Sequence, residues 1–137
     1  MTGRTTSESI KKLEDGYIFV FGSNLSGRHG KGAAKTAMTW GAKYGQANGL
    51  QGRTYGISTK DKSVRRVLSV VEIKPIVDEF IEFTKANPQL TFLVTEIGCG
   101  LSGYKPKDIA PLFEKAVEVS NIHLPARFWH KLIKPKN

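Results

Sequence analysis

Three glycines in six positions, Gly98, Gly100 and Gly103, lie in the segment Glu96-Ile97-Gly98-Cys99-Gly100-Leu101-Ser102-Gly103-Tyr104, between an apolar run and a helix that Pro106 would start. Where side chains are missing, a ligand can approach the backbone and take hydrogen bonds from its amides. A helix N-terminus begun by proline favours an anion at the same end, so the chemistry suggested is phosphate binding. A second loop of this design follows Tyr17-Ile18-Phe19-Val20-Phe21 and runs Gly22-Ser23-Asn24-Leu25-Ser26-Gly27-Arg28-His29-Gly30-Lys31-Gly32-Ala33-Ala34. In an open α/β sheet, ligands bind beyond the carboxyl ends of the strands. Two glycine loops leaving neighbouring strands could therefore grip one extended compound, and a diphosphate suits that grip.

Other residues around these loops carry chemistry with more than one reading. Lys60, in Thr59-Lys60-Asp61-Lys62, is read as a surface charge or a phosphate contact. Asn24 contacts a ligand or caps its own turn. His29 is read as an exposed loop residue, since a general base needs an orienting partner that the sequence does not name. Cys99 has no evident catalytic partner and is read as packing under its loop. His29, His123 and His130 form no ligand spacing with Cys99, so neither a metal nor a cofactor is called for.

The elements that must position these residues belong to one domain, because 137 residues suffice for a single buried core. A polar arm over residues 1–14 is expected to be loosely ordered and to precede a domain over residues 15–137. One cysteine forbids an internal disulfide, and neither a long apolar run nor a signal peptide is evident. The expectation is a cytoplasmic protein with no membrane partner. Twenty-one Lys and Arg against 12 Asp and Glu give a net charge of +9, which admits a nucleic-acid partner, a basic rim that steers phosphate, or a solvated basic surface.

Apolar runs predict strands at 17–21, 54–58 and 91–95, with 121–124 as a short edge strand ended by Pro125. A helix is expected over 33–44 with Gly45 as its stop, and residues 46–52 are read as a glycine-punctuated connection. Ser69-Val70-Val71-Glu72 has the spacing of a capping box and opens a helix to about residue 85, within which Pro75 marks a first turn or a kink. A last helix over 106–119 contains Pro111, and a basic tail follows from Phe128 with Trp129 as an anchor. Strands alternating with helices imply a three-layer α/β/α sandwich with a mostly parallel central sheet.

Phe21 to Ala34 resembles the first ligand loop of macrodomains. Tyr55-Gly56-Ile57-Ser58-Thr59-Lys60 and Ile97-Gly98-Cys99-Gly100-Leu101 are similar to the macrodomain branch that contains terminal ADP-ribose protein glycohydrolase. The resemblance spans residues 17–124, and the whole chain looks like small macrodomain-like proteins of phages and bacteria, which places it in a bacterial cytoplasm or an infected host cell. It implies a pocket for ADP-ribose or an ADP-ribosylated substrate. Gly22, Ser23, Asn24, Gly27, Gly30, Lys31, Gly32 and Ala33 would line it from the first loop, and Thr59 and Lys60 from the second. Gly98, Cys99, Gly100, Leu101, Ser102, Gly103 and Tyr104 would wrap the phosphates.

In a hydrolase of an ADP-ribosyl bond or of ADP-ribose phosphate, Asn24 would orient the distal ribose or a water, and Lys60 matches the nucleophilic lysine of that branch. The branch has an acidic residue after Gly-Cys-Gly-Leu where this chain has Ser102. It also holds adenine with an early aspartate, for which no motif before Asn24 matches and Asp15 is out of place. A non-catalytic reader or sponge of ADP-ribose signals, and a basic nucleic-acid-binding module, are the alternatives.

Overall fold

A computed structural model describes residues 3–133. Six strands, β1 (Thr5–Thr6), β2 (Tyr17–Asn24), β3 (Gly49–Gln51), β4 (Thr54–Lys60), β5 (Thr91–Val94) and β6 (Ile122–Pro125), form one sheet in the order β1-β6-β5-β2-β4-β3. Every pairing is parallel except that of β3 with β4. The helices are α1 (Gly32–Met38), α2 (Val70–Ala86), α3 (Pro106–Ile109) and α4 (Ala126–Leu132), and a 3-10 segment Ala110–Glu118 continues from α3. The architecture is an α/β sandwich with a mostly parallel sheet. Among the described residues, no helix is long and apolar enough to cross a membrane.

β2 is covered on both faces, which is why its sequence is a continuous apolar run and not an alternation. Ile18 and Val20 join the larger core with Phe80, Phe92, Phe113 and Trp129, whereas Phe19 and Phe21 meet Ala34, Ala37 and Ala42 on the opposite face. The alanines let α1 lie close to the sheet. α2 begins with the expected box: the Ser69 hydroxyl accepts from Glu72 N at 3.1 Å and the Glu72 carboxylate accepts from Ser69 N at 3.0 Å. Pro75 removes one bond inside α2, but the carbonyl it leaves belongs to Val71, which is 78% exposed and open to solvent. It neither starts nor breaks the helix.

The chain departs from its sequence-based reading in several places. α1 stops at Met38, well before Gly45, because Gly41 turns the backbone at φ 101° and lies so close to Gly52 that a Cβ on Gly41 would stand 2.9 Å from the Gly52 Cα. Residues 49–51, read as part of a connection, form β3. The helix expected over 106–119 divides into the four residues of α3 and the 3-10 segment, where Phe113 is non-helical at φ −100°, ψ 15° and Pro111 sits in the first turn.

The C-terminal strand is not an edge, and the N-terminal arm is not loose throughout. β1 pairs along the outer side of β6, with Thr5 beside Leu124 and Thr6 beside Pro125. Arg4 fixes this junction: its guanidinium donates to the carbonyls of Ala116, Val117, Val119 and Ile122 at 2.7–2.9 Å. It lies over Trp129, whose indole N–H donates to the Arg4 carbonyl at 2.7 Å. Phe128 and Trp129 are thus buried members of α4 and not the start of a tail; residues 134–137 of that tail lie outside the described residues.

Arg4→Ala is expected to lower stability by about 3 kcal/mol, since it removes several charge-assisted bonds together with the packing of the guanidinium on Trp129. Urea unfolding checks this, and Arg4→Lys should recover only part of the loss because one ammonium cannot fan across four carbonyls.

Candidate functional site

β5, β2 and β4 are adjacent and parallel, so the loops leaving their carboxyl ends open together on a cleft of about 600 Å³. Clefts of this size hold small molecules. Gly22, Ser23, Asn24, Gly30, Lys31, Gly32 and Ala33 line it from β2 and the loop that follows. Thr59 and Lys60 line it from the end of β4. Gly98, Gly100, Leu101 and Ser102 line it from the loop after β5.

Four residues expected at the site do not line the cleft. Gly27, at φ 70°, packs so tightly that a Cβ would stand 2.4 Å from the Gly45 carbonyl carbon, so it serves the loop's shape. Tyr104 turns its hydroxyl to the Leu68 carbonyl at 2.5 Å. Cys99 packs against the larger core, and Gly103 closes a turn by donating to the Gly100 carbonyl at 3.0 Å. Nor does the helix begun by Pro106 line the cleft, and at its start the Asp108 carboxylate accepts from the Lys105 amide at 2.9 Å.

Arg28, Ala34, Val64, Thr95, Glu96 and Ile97 line the cleft without having been singled out in the sequence. Arg28 and Glu96 stand inside the two glycine motifs, where their charge was the available signal. Nothing in the sequence marks Val64.

Below the cleft the loops are tied together. Thr59 Oγ1 and Ser102 Oγ share a hydrogen bond of 2.8 Å, and Thr59 Oγ1 also donates to the Ser23 carbonyl at 3.4 Å. Thr95 Oγ1 donates to the Val20 carbonyl at 2.7 Å. Asn24 is spent on its own loop: Oδ1 accepts from Ser26 Oγ and the Arg28 amide at 2.8 and 2.9 Å, and Nδ2 donates to the Arg28 carbonyl at 2.7 Å. It caps a turn at the cleft wall.

His29 is corrected from an exposed residue to one that is only 3% exposed. The loop folds over it, its ring stands edge-on to Phe21, and it does not line the cleft. Nε2 faces two acceptors, the Gln46 carbonyl at 3.0 Å and Gln51 Oε1 at 3.2 Å, and so carries the proton; Nδ1 is buried without a hydrogen-bond partner.

Two features give the cleft its electrostatic character. The amides of Gly98, Gly100, Leu101 and Ser102 donate to no acceptor among the described residues. Arg28, Lys31 and Lys60 line the wall, and none forms an ion pair among the described residues. Glu96 is the one carboxylate of the lining, and Arg127 holds it in a bidentate pair at 2.6 and 2.5 Å. That guanidinium keeps the Glu96 carboxyl below its usual range. Among the described residues, no group of three or more His, Cys, Asp or Glu could hold a metal ion.

A second hollow of about 520 Å³ adjoins the first at the ends of β1 and β6, sharing Thr95 and Glu96 with it. Thr6, Glu8 and Arg127 line it, and Thr6 Oγ1 is buried there without a partner. Glu8 stands just past β1, a strand too short to be seen in the sequence. Comparison of the chain with family models, curated proteins and solved structures gave no match.

Burial, and then the nearby Glu96 carboxylate, push the Cys99 thiol up to about 11. The thiol stays protonated through neutral pH, so alkylation by iodoacetamide is expected to be slow at pH 8 and to rise only as pH approaches 11. The pH dependence of the labelling rate checks this, and fast labelling at pH 8 contradicts it.

Proposed function

We propose that the cleft binds ADP-ribose or a closely related ADP-ribosyl nucleotide, in the manner of the macrodomains that the three loops resemble. The observation carrying this reading is that the open amides of Gly98, Gly100, Leu101 and Ser102 and the cations Arg28, Lys31 and Lys60 line the same cleft. Amides that need no rearrangement, with cations beside them, suit a diphosphate. The second hollow gives the nucleoside end a place, where the Glu8 carboxylate can accept from an exocyclic amine. The distal ribose then lies towards Gly32 and Lys60.

Binding is favoured over hydrolysis. A Lys60 amine attacking the ribose carbon needs a group to take its proton, and the neighbouring polar groups are engaged elsewhere. Asn24 holds its own loop, Thr59 and Ser102 hold each other, and Arg127 engages both oxygens of Glu96. Lys60 therefore acts as a charge on the phosphates or ribose, as in a reader of ADP-ribose signals.

Calorimetric titration with ADP-ribose, with AMP as comparison, tests the proposal. Gly30 and Gly100 have open space where a Cβ would stand and no left-handed backbone, so glutamate fits at either without disturbing the fold. Gly100→Glu and Gly30→Glu are each expected to weaken ADP-ribose by about a hundredfold through charge repulsion in a partly desolvated wall, and Lys60→Ala by about tenfold. Unchanged affinity in both glutamate variants would put the ligand elsewhere. If the unaltered protein binds no ADP-ribose but binds oligonucleotides with a steep salt dependence, the basic-module alternative takes its place.

A further inference from the structure

Among the described residues, Val64 is the one non-glycine residue with a positive φ, 64°. A β-branched side chain in this left-handed region is strained against its own backbone, where glycine or asparagine would fit at little cost. Strain of this kind persists where surroundings hold it in place, and it concentrates at ligand clamps.

The loop does not need a valine there. It is closed by Asp61 N donating to the Arg66 carbonyl at 2.9 Å, Val64 N to the Asp61 carbonyl at 3.0 Å, and Ser63 Oγ to Asp61 Oδ1 at 2.6 Å. An antiparallel bridge between Lys60 and Val67 completes it. Glycine at position 64 would keep every one of these bonds. The core does not need Val64 either, since its side chain packs against neither hydrophobic cluster. What it does is line the cleft.

Leu101 has the same unexplained character. It is 68% exposed, belongs to neither cluster, and lines the cleft from the loop after β5. The two loops are fastened at their bases by the Thr59–Ser102 bond and by Tyr104 donating its hydroxyl to the Leu68 carbonyl, while Leu68 N donates to the Thr59 carbonyl at 2.8 Å. Fastened bases hold the two apolar side chains in the lining of one cleft, which the open amides and the cations Arg28, Lys31 and Lys60 also line.

We infer that Val64 and Leu101 form an apolar clasp that grips the ring face of a sugar or base of the bound nucleotide, complementing the polar grip on its phosphates. The inference rests on the nucleotide reading of the cleft. Neither residue reacts with the ligand; both are positioning residues that set how firmly its rings are held.

The test is titration of the full chain with ADP-ribose for Val64→Gly, Val64→Ile, Leu101→Ser and Gly100→Glu, with melting temperature measured in parallel. Val64→Gly is expected to melt no lower than the unaltered protein, because it relieves the strained backbone, yet to bind about tenfold more weakly through lost apolar burial. Leu101→Ser should weaken binding similarly, and Val64→Ile, which keeps the branched surface, should retain it. ADP-ribose affinity that falls in Gly100→Glu but not in Val64→Gly or Leu101→Ser overturns the clasp and leaves the cleft reading standing. No binding by the unaltered protein overturns both.

Discussion

Parallel pairing of β2 on both of its edges is the constraint from which the rest of this molecule follows. Its backbone is bonded to β4 along Phe19 to Asn24 and to β5 along Tyr17 to Val20, so three carboxyl ends reach the same side of the sheet. Parallel neighbours cannot be joined by tight turns, and the chain must cross over through α1 or α2 between them. Each crossover starts with a loop at that one edge. The meeting of amides and cations there is therefore a result of strand direction first and of side chains second. The register shift between Ser23 and Asn24 is part of the same edge, where β2 leaves its partner and starts the first loop.

Glycine serves two opposed purposes in this fold. Gly30 and Gly100 have nothing within reach of a Cβ, so they leave room for something outside the chain. Gly27, Gly41 and Gly52 have backbone atoms within 3 Å of that position, so they let the chain touch itself. Gly27 seats the first loop on Gly45, and at the other end of the sheet the Gly41–Gly52 contact brings the chain after α1 beside the turn from β3 to β4. Gln51 adds a bond between the same segments, accepting from the Lys43 amide at 2.8 Å while its Oε1 also faces His29.

What could be read from the sequence was whatever rested on a local pattern. The apolar runs at β2, β4 and β5 were long enough to show, and the capping box at Ser69 and Glu72 is decided by groups three residues apart. Both glycine motifs were visible, and most of their residues do line one cleft. Pairings between distant segments were not legible. β1 and β3 are two and three residues long, too short for any period, and exist only because β6 and β4 offer them an edge. His29 looked exposed because a polar loop usually is, and only the fold brings Gln46 and Gln51 against it. Asn24 shows the ambiguity most plainly: its three bonds to Ser26 and Arg28 cap its own turn, while the residue also stands in the wall of the cleft.

The junction at Arg4 bears on the order in which the chain comes together. Arg4 bonds to Ile122 across 118 positions and to Trp129 across 125, whereas the strands that form the cleft are complete by Val94. Closing a loop that long adds little to the equilibrium cost, which grows only with the logarithm of length, but contacts so remote in sequence form slowly. During synthesis the outer edge of β6 stays open until β1 has come back to pair along it. Over that interval the nascent protein carries a nearly finished cleft beside an unpaired strand edge, the kind of surface at which one chain can pair with another before it closes on itself.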